Sequence, residues 1–240
     1  MKLVETKQIR GQEVNADKKL TNKALLEFFS NGAMYHTFLG GDTSSEGVSP
    51  VSWMVMGWKM QVFSRPYMFS NVTVETWVQR YTRVKARRNY RVTDEEGNIV
   101  AVAAAEWVAM NAATNMFVRL TPEVMDHYTS ENEEEVLESF FFNDYRKFEE
   151  PAQSSKLITP LYSMNDYNCH LHNSEYIYLA DEIIPGDPLH DVYDDVEIYY
   201  RQQVKPGEEV LLEYCVMDGR KYVAVKSPED GSLHTLIILS

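Results

Sequence analysis

The sequence predicts an α+β chain made of two copies of one unit, each a long helix wrapped by an antiparallel β-sheet. Three observations predict it. A helical apolar pattern over Asn22 to His36 is followed by a run of strand-like stretches. The same order, helix and then strands, returns after Asn173. Finally, Val72-Thr73-Val74-Glu75-Thr76-Trp77-Val78 resembles Val210-Leu211-Leu212-Glu213-Tyr214-Cys215-Val216, and the turn Asp94-Glu95-Glu96-Gly97-Asn98 resembles Pro228-Glu229-Asp230-Gly231-Ser232.

In chain order, Leu25, Leu26, Phe28, Phe29, Gly32, Ala33 and His36 recur at spacings of three and four, so the first helix has a buried face covering more than half its circumference. A Gly/Ser-rich loop, Gly40 to Gly47, follows. Strand patterns then run over Trp53–Phe63, Val72–Tyr81, Val84–Thr93, Ile99–Met110 and Met116–Leu120, with turn residues between several of them. In the second half a helix is expected from Asn173, with Asn173 as N-cap and Tyr176, Ile177, Leu179, Ala180 and Ile183 behind it. Strands follow over Val192–Val204, Val210–Met217, Lys221–Lys226 and Leu233–Leu239. A sheet that wraps its own helix buries it on nearly all sides, which accounts for the wide apolar face. This is the hot-dog unit, and two in one chain make a double hot-dog. The organisation expected is an N-terminal unit over residues 1–120, an acidic linker with a helix over 121–155, and a C-terminal unit over 156–240. Thr121-Pro122-Glu123 has the chemistry of a helix start, and Glu131, Glu133, Glu134 and Glu135 read as a solvated face.

Composition narrows the function classes. The chain has 240 residues and a net charge of −13, which argues against general nucleic-acid binding. No apolar run reaches membrane-span length, and the start Met-Lys-Leu-Val-Glu-Thr-Lys-Gln lacks a signal peptide's apolar stretch, so a cytoplasmic protein is expected. Cys169 and Cys215 are too few for a disulfide framework or a thiolate zinc site. The histidines are scattered, so neither a metal nor an organic cofactor is expected. Charge is uneven, however: Arg80, Arg83, Lys85, Arg87, Arg88 and Arg91 form a basic island. By alternation Arg83, Lys85, Arg87 and Arg91 share one strand face, while Arg88 falls with Val84, Ala86, Tyr90 and Val92 on the apolar side. Arg88 must therefore be paired, placed at a bulge, or functional.

The stretch richest in chemistry is Asp166-Tyr167-Asn168-Cys169-His170-Leu171-His172-Asn173. On an extended segment Asp166, Asn168 and His170 would converge on one point, ahead of a helix start whose N–H groups suit an oxyanion. An acid, an amide, an imidazole and an oxyanion site together suggest hydrolysis of an acyl compound. The same residue types also build turns, because Asn and Asp bond their own backbone. His172, one step off the alternating row, reads as part of the helix cap.

At these residues the chain resembles the acyl-acyl carrier protein thioesterases, the family that ends fatty-acid synthesis in plants and has bacterial members. Asp166 to Asn173 is similar to the family's Asp-x-Asn-x-His-x-Asn-Asn signature, with Tyr176-Ile177 following. Asn71 to Trp77, Arg87-Arg88-Asn89-Tyr90, Trp107 to Asn111 and Leu120 to Val124 fall where the family has similar segments. Two positions depart from it. His172 replaces the first Asn after the histidine, and Gln203-Val204 replaces a Glu-Cys pair, so no cysteine nucleophile is available there. The resemblance implies hydrolysis of the thioester between a fatty acyl chain and the phosphopantetheine of acyl carrier protein. Asp166, Asn168, His170 and Gln203 would be the catalytic set, with backbone N–H groups near Asn173 and Ser174 receiving the oxyanion. It also implies acyl selection in the first unit, for which Trp53, Met56, Trp58 and Trp107 are the candidates. Arg83, Lys85, Arg87 and Arg91 would dock the acidic carrier. The alternatives are a hot-dog acyl-CoA thioesterase and a non-catalytic acyl- or carrier-binding module. A chain that already contains two units could be a monomer or a homodimer.

Overall fold

The structure is a computed structural model in which residues 2–41, 51–111, 113–114, 116–125, 128, 134–137, 148–190 and 192–240 are described. The first unit runs β1 (Leu3–Gln8), α1 (Asn22–Leu39), β2 (Val51–Val62), β3 (Asn71–Tyr81), β4 (Lys85–Thr93) and β5 (Ile99–Asn111). A helical turn, α2 (Pro122–Met125), starts the connection. The second unit runs β6 (Ser154–Ile158), α3 (Tyr176–Asp181), β7 (Asp195–Tyr200), β8 (Val210–Met217), β9 (Arg220–Lys226) and β10 (Leu233–Leu239).

All these strands join one ten-stranded sheet in the order β1-β3-β4-β5-β2-β7-β10-β9-β8-β6. The order is symmetric about its centre: β1, β3, β4, β5 and β2 correspond to β6, β8, β9, β10 and β7. The halves meet where β2 pairs antiparallel with β7, Trp58 opposite Ile198 and Met60 opposite Val196. This is the double hot-dog, and the internal repeat read from the sequence is a repeat of topology. Helices α1 and α3 lie against the same side of the sheet, and one apolar core runs through both units, from Leu25, Phe29 and Tyr90 to Ile177, Leu179 and Val223.

Local chemistry explains the elements. Thr21 caps α1, its hydroxyl accepting from the Ala24 N–H at 3.2 Å. Gly40 and Gly41 end the helix, Gly41 at a φ of 78° that favours glycine. The two similar hairpin tips close alike: Asp94 accepts from the Asn98 N–H at 2.7 Å, and Asp230 from the Ser232 N–H at 2.9 Å.

Four expectations are corrected. Met116–Leu120 is not a strand; only Phe117 bridges to Met110. The second helix is short, a 3-10 turn over Asn173–Glu175 and then Tyr176–Asp181, because Pro185 and Gly186 follow almost at once. The strand expected over Val192–Val204 holds only at Asp195–Tyr200. Strands β1 and β6, both sheet edges, were not foreseen. The expected Gly40–Gly47 loop beyond Gly41 and much of the acidic linker lie outside the described residues. No helix among the described residues is long and apolar enough to cross a membrane.

Candidate active site

Helix α1 changes character along its length. Its first half presents large side chains to the sheet, and Phe29 packs 4.9 Å from Tyr90 and 6.0 Å from Trp58 between ring centroids. Its second half presents Ser30, Ala33 and Thr37, which cannot fill the same space. A cavity of about 150 Å³ results, lined from the first unit by these residues, Met34, Ser52, Trp53, Val78, Ala86, Arg88 and Trp107, and from the connection by Met125 and Tyr128. The second unit closes it with Asp166, Tyr167, Asn168, His172 and Asn173. Neither unit makes this site alone.

The Asp166 segment is a turn rather than an extended row. Asn165 bridges to Leu171, and the Asp166 N–H donates to the His170 carbonyl at 2.8 Å. The Asp166 carboxylate accepts from the Asn168 N–H at 2.8 Å and the His170 N–H at 3.3 Å, so it staples its own loop. Cys169 takes a φ of 59°, which reverses the chain and destroys the alternation. Asp166 and Asn168 therefore reach the cavity, whereas His170 is not among the residues lining it. The His170 Nδ1 is buried without a hydrogen-bond partner among the described residues.

The first unit contains the same loop, which sequence reasoning missed. Val14 bridges to Leu20, Asn15 accepts from the Asp17 and Lys19 N–H groups at 3.1 and 3.0 Å, and Lys18 has a φ of 62°. Asn15-x-Asp17-x-Lys19 thus matches Asp166-x-Asn168-x-His170 position for position. This loop is tied to the second unit, where the Ala16 N–H donates to the Leu189 carbonyl at 2.9 Å, and its tip at Ala16, Asp17 and Lys18 is exposed.

His172, rather than Asn173, caps the second helix. Its Nδ1 accepts from the Ser174 N–H at 3.3 Å and stands 2.8 Å from the Ser174 hydroxyl. That arrangement places the proton of the neutral ring on Nε2. It also corrects the oxyanion expectation: Ser174 is buried, and its N–H is engaged by the imidazole. Asn173 does line the cavity, and its carbonyl accepts from the Tyr200 hydroxyl at 2.6 Å.

The remaining expectations divide. Trp53 and Trp107 line the cavity. Trp58 is a core residue, buried against Phe29, Tyr90 and Trp107. Met56 does not line the cavity either: it is the extra residue of a β-bulge between Val55 and Gly57, which shifts the inward positions from Trp53 and Val55 to Trp58 and Met60. Gln203 is exposed beyond the end of β7 and absent from the cavity wall, although the Val204 carbonyl after it accepts from the Leu171 N–H at 2.9 Å.

The basic island is largely neutralised. Arg87 is 4% exposed and pairs with Glu135 at 3.0 Å. Arg91 pairs with Glu134 and lies over the Trp77 ring, and Lys85 pairs with Glu106 at 2.9 Å. The Glu134 carbonyl also accepts from the Asn89 amide at 2.7 Å. Residues 134 and 135 of the acidic linker thus strap the outer face of β3 and β4 while their side chains stay exposed, as the solvated-face reading expected; Glu131 and Glu133 lie outside the described residues. Of the four proposed docking residues, Arg83 is the one that is exposed.

Arg88 is where alternation put it, on the inner face, 5% exposed. Its Nη1 donates to His36 Nδ1 at 2.8 Å and to the Thr76 hydroxyl at 3.3 Å, and its guanidinium lies over the Tyr128 ring. His36 is wholly buried, and burial together with the Arg88 charge pushes its pKa down to about 3. His36 is therefore a neutral acceptor at ordinary pH. The unusual sign at Arg88 was visible in the sequence; its partner was not.

The family model described as the acyl-ACP thioesterase N-terminal domain matches residues 2–128. The chain is 27% identical over 194 residues to an oleoyl-acyl carrier protein thioesterase of Arabidopsis thaliana, covering 75% of this chain and 53% of the relative. It is 27% identical over 221 residues to a palmitoyl-acyl carrier protein thioesterase of Cuphea hookeriana, covering 85% of this chain and 52% of the relative. The chain thus spans about half the length of these curated relatives. Its fold is similar to that of an acyl-ACP thioesterase from Bacteroides thetaiotaomicron, with a TM-score of 0.85, 21% identity and coverage of 99% and 96% of the two chains. The 12:0-ACP thioesterase from Umbellularia californica gives a TM-score of 0.81 at 19% identity, covering 100% of this chain and 96% of the other.

Proposed function

Because the chain belongs to the acyl-ACP thioesterase family, we propose that it hydrolyses the thioester of a fatty acyl-acyl carrier protein, releasing the free acid and ending chain elongation. One observation carries this reading. Asp166 and Asn168, from one unit, line the same cavity as Trp53 and Trp107, from the other. A polar, acid-bearing wall opposite an aromatic wall suits a thioester carbonyl joined to an apolar chain.

Asp166 takes a proton from water, and the resulting hydroxide attacks the thioester carbon. The Asn168 amide holds the water or the carbonyl. The Nε2–H of His172 donates to the oxyanion of the tetrahedral intermediate; one such donor typically lowers a barrier by about 3 kcal/mol. Collapse breaks the carbon–sulfur bond, and the departing thiolate of the phosphopantetheine recovers the proton from Asp166. The relatives' names put the acyl group on acyl carrier protein, and we assign the same carrier here.

A second reading gives the imidazole role to His170, on the strength of its orphaned buried Nδ1, a state that calls for a partner supplied by water or substrate. Alanine variants at the two histidines separate the readings. If His172→Ala abolishes acyl-carrier hydrolysis and His170→Ala does not, the first holds; the reverse pattern transfers the role to His170. Wild-type rates in Asp166→Asn, with the fold intact by circular dichroism, contradict both.

A further inference from the structure

We infer that the acyl pocket contains a subsite for an oxygen atom borne by the acyl chain itself, a hydroxyl, oxo or carboxylate oxygen that accepts hydrogen bonds from Arg88. The inference rests on the hydrolytic reading for the identity of the substrate, and on geometry for the subsite.

Arg88 lines the same cavity as Asp166, Asn168, Trp53 and Trp107. A pocket meant only for a methylene chain has no use for a guanidinium in its wall, since a buried charge without an ionic partner costs several kcal/mol. Arg88 has no carboxylate partner among the described residues: it meets the neutral His36, the Thr76 hydroxyl and the face of Tyr128. Both hydrogen bonds use Nη1, so the donors on Nε and Nη2 have no partner among the described residues. Burial lowers the pKa of the guanidinium, offset by the Tyr90 and Tyr128 phenols and by no acid among the described residues. His36 stays neutral beside it and accepts from Nη1 at 2.8 Å, so it holds that end of the guanidinium without cancelling its charge. The arrangement is a preorganised donor awaiting an acceptor. The neighbouring Arg87 and Arg91 show the alternative: each faces outward and meets a glutamate of the strap.

The test uses the full chain and acyl-carrier thioesters of matched chain length, either saturated or bearing a hydroxyl, an oxo group or a terminal carboxylate at successive positions. In parallel, the corresponding free acids are titrated against tryptophan fluorescence, since Trp53 and Trp107 line the pocket. We expect at least one oxygenated chain to exceed its saturated counterpart tenfold or more in kcat/KM and in affinity. Arg88→Met is expected to erase that preference and Arg88→Lys to keep part of it; the wild-type panel decides the matter should these variants fail to fold. A wild-type enzyme that favours the saturated chain in both readouts overturns the inference, as does a preference that survives Arg88→Met. Oxygen-dependent binding with no turnover of any thioester would uphold the subsite and refute the hydrolytic reading instead.

Discussion

The buried pair His36 and Arg88 makes stability depend on pH in a calculable way. In the unfolded chain His36 titrates near 6.5, whereas in the fold its pKa lies at about 3. Between those values the unfolded state binds a proton that the native state refuses, so the free energy of unfolding falls as pH falls. The contribution is fully present above pH 6.5 and shrinks on the way down to about 3. At pH 4.5 the loss comes to about 2.8 kcal/mol, from about 1.4 kcal/mol per pKa unit over two units. The perturbation is His36→Gln, whose amide oxygen can still accept from Arg88 but cannot titrate. Urea unfolding of both proteins at pH 7 and pH 4.5 gives the difference of differences, in which the carboxylates common to both cancel. The wild type is expected to lose about 2 to 3 kcal/mol more than the variant. Equal losses would refute a buried, neutral His36 and the geometry of Arg88 that depends on it.

Further outcomes follow from the same geometry. Asp166→Asn should lower kcat by about 100-fold or more, because a general base is typically worth that much, and should leave the unfolding midpoint within a few degrees of wild type. His172→Ala should cost about 100-fold in kcat by removing an oxyanion donor; its helix cap should also go, lowering stability by about 1 kcal/mol in the same urea titration. Ala33→Leu puts an isobutyl group into a cavity of about 150 Å³ and should shift the preference toward shorter acyl chains, read as a change of tenfold or more in the ratio of kcat/KM values between long and short substrates.

How much of this was legible in the sequence depends on the range of the interaction involved. Strands β3 and β4 could be read because alternation is local: Val72, Val74 and Thr76 point inward as their spacing requires, and Arg88 stands out for the same reason. The matching hairpin tips were legible because Gly97 and Gly231 sit where the chain needs positive φ. The Met56 bulge was not, since one extra residue leaves no mark in an apolar run and yet changes which side of the strand faces the pocket. The Asp166 loop misled for a related reason. Its carboxylate looked free for catalysis, but one oxygen also ties two backbone N–H groups, and the turn so formed separates His170 from the cavity. The same loop at Asn15 was readable in principle from Asn-x-Asp-x-Lys ahead of the capped α1, had the two halves been aligned through their loops. The fate of the basic island was beyond local reading altogether, because Glu134 and Glu135 come more than forty residues after Arg87 and Arg91.

The central claim is that both units together form a thioester hydrolase, and it is tested most directly by fatty-acid release from acyl-acyl carrier protein. Mixing the purified chain with a series of acyl-carrier thioesters and measuring free acid by mass spectrometry should show turnover that disappears in Asp166→Asn. The matching CoA esters should be cleaved more slowly. Binding of the carrier-linked acyl chain with no acid released by the wild type would contradict the account and leave the cavity as an acyl-binding site without chemistry.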